Sequence, residues 1–130
     1  MIVLDASAAV AVLLNLGPEA SLLRERLTDE DLHVPHLFEL EVLHALRRHV
    51  LGGSVSKHRE RELLQDLTSM SLSRYPHTAL LPRIWELKNN LTAYDASYVA
   101  LAESLAAPLV TLDARLEQAP GLRAPVEVYG

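Results

Sequence analysis

A chain of 130 residues is about one domain's length. Its 49% apolar residues are enough for a real core, and roughly two thirds of the unfolded surface is buried at this size. The absence of cysteine excludes a disulfide framework and a thiolate metal site, which suits a reducing compartment. A formal net charge of −5 argues against a surface basic as a whole, leaving only a local basic patch for any nucleic-acid contact.

The chain opens on "MIVLDASAAVAVLLN". Ile2–Leu4 predicts a strand, and Ser7–Leu14, apolar nearly all round, predicts a buried helix. The stretch has the length of a secretory leader's apolar region. No Lys or Arg precedes Arg24, however, and Asp5 interrupts the run, so the leader reading fails. Pro18–Leu27 predicts a second helix with Pro in its first turn, and Leu32–Val34 a second strand. His36–Leu51 is a long helix stopped by Gly52–Gly53. Ser56–Ser69 follows, with Ser56 as N-cap, Leu63, Leu64 and Leu67 on one side and charges on the other. Met70–Tyr75 alternates weakly as a strand and ends at Pro76. Helices are predicted over Thr78–Lys88 and Asp95–Ala106. In the second, Tyr94, Tyr98, Leu101, Ala102 and Leu105 form one apolar stripe. Pro108 stops it, and Leu109–Leu112 and Val126–Tyr129 are the last strands. Strands alternating with helices predict an α/β fold with a mostly parallel five-stranded sheet, one domain over residues 1–130. No run approaches the ~18 apolar residues of a membrane span.

Three aspartates share one local grammar: Asp5 in "IVLDAS", Asp95 in "TAYDAS" and Asp113 in "VTLDAR". Each is followed by Ala at the start of a helical pattern, and Asp5 and Asp113 also close strands. In a doubly wound sheet such strand ends look into one crevice, where ligands bind. Each is equally well read as a helix N-cap, for which Asp is among the best residues. A fourth acid tips the balance. Glu41, in "VPHLFELEVLHALRR", is surrounded by Leu37, Leu40, Val42 and Ala45. Burying an unpaired charge there is costly, and Arg47 and Arg48 lie beyond the i+3/i+4 range of a helical ion pair. If the four acids converge, they repel by about 4 kcal/mol per pair at ~4 Å and an effective dielectric near 20. That exceeds the roughly 1 kcal/mol a cap returns. Such a cluster makes sense around a cation, and all-oxygen ligation selects Mg²⁺ or Mn²⁺. The six histidines form no convincing zinc set.

The segments "IVLDASAAVAVLL", "VPHLFELEVLHALRR", "LTAYDASYVALAESL" and "PLVTLDARL" resemble, in order and spacing, the PIN-domain ribonucleases, specifically the VapC toxins of bacterial toxin–antitoxin pairs. The resemblance covers essentially the whole chain. It implies an α/β/α sandwich and a catalytic, metal-binding set at Asp5, Glu41, Asp95 and Asp113, supported by Ser7 and Thr111. It also implies an Mg²⁺- or Mn²⁺-dependent endoribonuclease, a small VapB-like antitoxin partner, a homodimer, no membrane and a cytoplasmic setting. One departure is His44 in "EVLHAL", where many relatives carry Asn. Arg47, Arg48, Lys57, Arg59 and Arg61 are candidates for RNA contact, and each is equally well read as part of a solvated helix face. Two alternatives stand beside this reading. A receiver-like Mg²⁺-binding signalling domain asks for an acidic pair after strand one and a late Lys, and the chain has neither. A DNA-directed nuclease uses the same site. An antitoxin silencing such a pocket needs a cation of its own, and an apolar groove beside Pro18–Leu27 is the expected grip for it, because Leu22, Leu23 and Leu27 cannot all face the core.

Overall fold

Ile2, Val3, Leu4, Leu109 and Val110 are wholly buried. Strands without an exposed face belong to the middle of a parallel sheet covered by helices on both sides. The computed structural model describes residues 1–130, and its strands are β1 (Ile2–Leu4), β2 (Leu32–Pro35), β3 (Leu72–Tyr75), β4 (Leu109–Thr111) and β5 (Val126–Val128). They form one sheet in the order β3-β2-β1-β4-β5, and every neighbouring pair is parallel. The expectation of a mostly parallel sheet is therefore tightened: no strand runs the other way.

Parallel neighbours need crossovers, and helices supply them. They are α1 (Ala6–Leu14), α2 (Glu19–Leu27), α3 (Phe38–Leu51), α4 (Lys57–Thr68), α5 (Leu81–Glu86), α6 (Ala93–Leu105) and α7 (Ala114–Gln118). The chain walks outward from β1 to β3, then returns to the other side of β1 for β4 and β5. Right-handed crossovers in opposite directions place their helices on opposite faces. Accordingly α1 packs with α2, α3 and α4, while α6 packs with α5 across β1, β2 and β4. The reversal point lies between β1 and β4.

Several boundaries move for identifiable reasons. The helix predicted over Thr78–Lys88 divides into a 3₁₀ turn, Thr78–Leu80, and α5. Pro82 has no N–H to carry a helical ladder through, and sits instead in the first turn of α5. Helix α3 starts at Phe38 rather than His36, because the His36 N–H extends the β2–β3 pairing by donating to Tyr75 O at 2.9 Å. Strand β3 starts at Leu72 rather than Met70, whose N–H is engaged by Leu67 O at the end of α4. Ser56 caps α4 as expected, accepting from Arg59 N at 3.1 Å. The stripe expected on α6 holds at Tyr98, Leu101, Ala102 and Leu105 but fails at Tyr94, which is 66% exposed, and it widens, since every residue from Ala96 to Ala102 is buried. Ala96, Ser97, Ala100 and Ala102 are small enough for α6 to lie tightly over the sheet, so this helix is buried almost all round.

Candidate active site

The switch point of a parallel α/β sheet is where its ligands sit, and here it lies between the carboxyl ends of β1 and β4. Asp5 follows β1 directly and Asp113 comes two residues after β4. Asp95 is in the first turn of α6 and Glu41 is the fourth residue of α3.

Asp5 stands at the N-cap of α1, but its side chain makes no capping bond. Its Oδ2 instead accepts from Ser7 Oγ at 2.7 Å and from Thr111 Oγ1 at 2.6 Å. Those hydroxyls are themselves fixed, since Ser7 Oγ accepts from Leu112 N and Thr111 Oγ1 from Asp113 N. Strand β4 thus locks the carboxylate at the end of β1. Asp5 is only 7% exposed, and burial pushes its carboxyl above the usual range despite the two hydroxyl donors. Glu41 accepts from the wholly buried Tyr98 hydroxyl at 2.7 Å through Oε1 and makes no ion pair with Arg47 or Arg48. Burial raises its carboxyl, with the charges of Asp5 and Asp95 adding to the effect. Asp95 is raised too, by burial first and then by Asp5 and Asp113. It is not the cap of α6: Thr92 holds that place, accepting from Asp95 N at 3.1 Å. The Asp95 carboxylate therefore has no duty in its own helix.

Asp113 behaves differently. It caps α7 by accepting from Arg115 N at 3.0 Å. The Arg115 guanidinium also grips both its oxygens, with Nε at 3.0 and 3.1 Å and Nη2 at 2.6 Å. That hydrogen-bonded charge holds the Asp113 carboxyl below the usual range. The capping reading thus holds for Asp113 and fails for Asp5 and Asp95.

One buried and two half-buried carboxylates, each with its pKa raised and standing within reach of one another's charge, form the kind of cluster that marks a candidate functional site. In kind the donors fit a hard divalent ion, all being carboxylate oxygens. In the arrangement seen, no three acidic or imidazole side chains stand close enough to share one ion.

The basic candidates lie elsewhere. Arg59 is committed to the fold, donating to Leu13 O and pairing with Glu62 and Asp66. Arg47, Lys57 and Arg61 rim a hollow of about 640 Å³ between α3 and α4, floored by Leu46 and Leu63; Arg48 is exposed. This hollow is not beside α2, where the apolar groove was expected. Beside α2, Leu22 is exposed and Leu23 is buried as the side-chain argument required, and a mostly apolar hollow of about 350 Å³ touches the helix at Arg24 and Leu27. Two residues of the site escape a sequence reading. Tyr98 passes for core on an apolar helix face, and Arg115 passes for an ordinary charge after an N-cap. The available signals were a hydroxyl at helical spacing from Asp95 and a cation two residues beyond Asp113.

The PIN domain family model matches residues 2–122. The chain is 45% identical over 128 residues to VapC ribonuclease Mb0985 of Mycobacterium bovis, covering 98% of each. It is likewise 45% identical over 127 residues to Ribonuclease VapC1 of Mycobacterium tuberculosis, covering 97% of this chain and 94% of that one. Among solved structures, PAE2754 from Pyrobaculum aerophilum superposes with a TM-score of 0.68 at 29% identity, over 98% of this chain and 83% of that one. VapBC2 from Rickettsia felis, bound to a DNA fragment from its promoter, gives 0.68 at 17% identity over 98% of both chains, a likeness of fold. No single helix is long and apolar enough to cross a membrane. A family match over nearly the whole chain, with the acids at the sheet's switch point, leaves no place for the receiver alternative: the chain belongs to the PIN-domain family, among its VapC members.

Proposed function

We propose that this chain is an Mg²⁺- or Mn²⁺-dependent endoribonuclease, the toxin of a toxin–antitoxin pair, cutting RNA phosphodiesters at Asp5, Glu41, Asp95 and Asp113. The observation that carries the reading is placement: Asp5 directly after β1, Asp113 just past β4, and Glu41 and Asp95 in the first turns of α3 and α6, at the β1–β4 switch point, with the charges of Asp5 and Asp95 raising Glu41 and that of Asp5 raising Asp95. Its support is 45% identity to proteins named as VapC ribonucleases. The four carboxylates are the residues that would hold the ion. A divalent ion bound there would lower the pKa of a coordinated water, leaving a base to take its proton, and would offset the charge of the phosphate. The chain's own residues do the rest. Ser7 and Thr111 aim Asp5, and Tyr98 aims Glu41 through Oε1. Glu41 Oε2 is left free to accept the proton of an attacking water. The partners proposed are a VapB-like antitoxin, as the VapBC neighbour suggests, and a second copy of the chain, in the cytoplasm where RNA is met. Exposed Leu40 and Trp85 suit an assembling surface.

Incubation of the purified chain with single-stranded RNA, single-stranded DNA and duplex DNA, with Mg²⁺, Mn²⁺ or a chelator, tests this. Cleavage of RNA alone, abolished by the chelator, is expected. Cleavage of DNA alone would replace the reading with the DNA-directed alternative. Unimpaired cleavage in chelator would remove the metal.

A further inference from the structure

We propose that Arg115 is a displaceable internal counter-cation, which occupies both oxygens of Asp113 and must yield to a divalent ion that Asp113 ligates. The inference rests on the metal-dependent reading above.

The geometry is a fork on a carboxylate. Nε of Arg115 lies 3.0 and 3.1 Å from the two Asp113 oxygens and Nη2 lies 2.6 Å from Oδ2. The same Nη2 is 4.0 Å from Asp95 Oδ2. One guanidinium therefore stands between two of the four acids and takes up both oxygens of one of them. A divalent ion ligated by Asp113 needs those oxygens, and two cations on one carboxylate repel each other.

What makes the fork displaceable is its exposure. The Arg115 side chain is 80% exposed, and its hydrogen-bond acceptors are confined to Asp113. An exposed pair of this kind is weak and screened by salt. Arg83 shows the alternative within the same molecule. It makes a comparable fork on Glu103, but it is 18% exposed and also donates to Gly121 O, so it ties α5, α6 and a loop together. Arg115 makes no hydrogen bond beyond the first turn of α7, whose cap is made by its backbone N–H and does not need the guanidinium, and its reach to Asp95 on α6 is 4.0 Å.

The test is Mn²⁺ affinity by calorimetry on the whole chain, without RNA. Arg115→Gln is expected to bind Mn²⁺ three- to tenfold more tightly than wild type. Arg115→Lys, which keeps the charge and loses the fork, is expected to fall between the two. In an Asp113→Asn background the Arg115→Gln effect is expected to vanish. Arg123→Gln makes the same change in net charge at another exposed arginine, and is expected to leave the affinity within twofold. Equal affinity of wild type and Arg115→Gln overturns the inference and leaves the nuclease reading standing. Equal tightening by Arg123→Gln also overturns it, because the effect is then bulk charge. Failure of wild type and variant alike to bind millimolar Mn²⁺ overturns the metal reading, and the inference with it. Matching circular dichroism and melting of the variants secures the comparison.

Discussion

Two groups of acids sit in this fold under opposite conditions. Around Arg26, Glu30 and Glu127 are gripped at 2.7 to 3.1 Å, and Glu30 also takes the amino-terminal ammonium at 3.0 Å. Arg26 first, then the amino terminus, holds the Glu30 carboxyl down to about 2, and Arg26 does the same in direction to Glu127. At the β1–β4 switch point no cation hydrogen-bonds Asp5, Glu41 or Asp95, the nearest being Arg115 at 4.0 Å from Asp95, and burial raises all three. Residue type is the same in both places, but the environment is not. Around Arg26 the charges join α2 to β5 and hold the fold together. At the switch point they are an electrostatic cost that the folded chain carries, and such a cost persists where a ligand offsets it.

The sharpest way to break this contrast is to neutralise each group in turn. Asp5→Asn and Asp95→Asn are each expected to slow single-turnover RNA cleavage by two orders of magnitude or more, about 3 kcal/mol of barrier. Tyr98→Phe keeps the ring and loses only the hydroxyl that aims Glu41, so a loss of about tenfold or less, roughly 1.4 kcal/mol, is expected. Losses below tenfold in both Asp variants would make the switch-point acids structural after all. Arg26→Ala is expected to do the reverse. Cleavage per folded molecule stays unchanged, while stability falls by about 1–2 kcal/mol, a drop in melting temperature of several degrees at this size. A melting temperature equal to wild type would show that the Arg26 cluster contributes nothing measurable.

The pH dependence separates the two groups by sign. For Glu30 and Glu127 the folded pKa is depressed. Their stabilisation is complete above the unfolded value, near 4.5, and is lost as pH falls through the folded value, which for Glu30 is about 2. For Asp5, Glu41 and Asp95 the folded pKa is raised. Their destabilisation is complete above that raised value and is relieved as pH falls through it. Urea unfolding across the acid range should therefore show Arg26→Ala with a shallower loss below pH 4.5 than wild type. It should show Asp95→Asn gaining less stability than wild type as pH falls through the raised range of that carboxyl. Parallel curves for all three proteins would mean the two groups do not differ in linkage.

Much of this was legible in the sequence, for reasons that can be named. Asp5 and Asp113 could be read because a strand pattern runs straight into each, so their place at the sheet's edge follows from the α/β alternation. Glu41 stood out as a charge among apolar neighbours. What periodicity could not reveal was pairing across the fold. Tyr98 and Glu41 are 57 residues apart and meet only because α3 and α6 converge on one sheet end. The same limit hid Arg26 with Glu127, 101 residues on. The grip of Arg115 on Asp113 is local, yet it depends on a rotamer that spacing does not determine. The division of Thr78–Lys88 was visible in Pro82, and the full burial of α6 in its run of alanines, but an apolar stripe is the more familiar pattern for a helix at a sheet.

The smallest effect is the most direct probe of the carried cost. Asp95 is neither the cap of α6 nor a partner in any hydrogen bond made by its own carboxylate. Asp95→Asn keeps its shape and removes a charge that is partly desolvated and repelled by Asp5 and Asp113, effects that outweigh the attraction of exposed Arg115 at 4.0 Å. In metal-free solution near pH 7 the variant should therefore melt higher than wild type, by the few degrees that about 1 kcal/mol gives a chain of this length. The same substitution that ends cleavage would then strengthen the fold, as a trade-off between site and stability requires. Millimolar Mn²⁺ should narrow the gap, raising the wild type more than the variant because an ion bound to the folded state stabilises it by mass action. Melting curves of both proteins in chelator and in Mn²⁺ decide it. A variant that melts lower than wild type in chelator would mean that Asp95 earns its place structurally, and that the repulsion at the switch point is too weak to set it apart from the acids around Arg26.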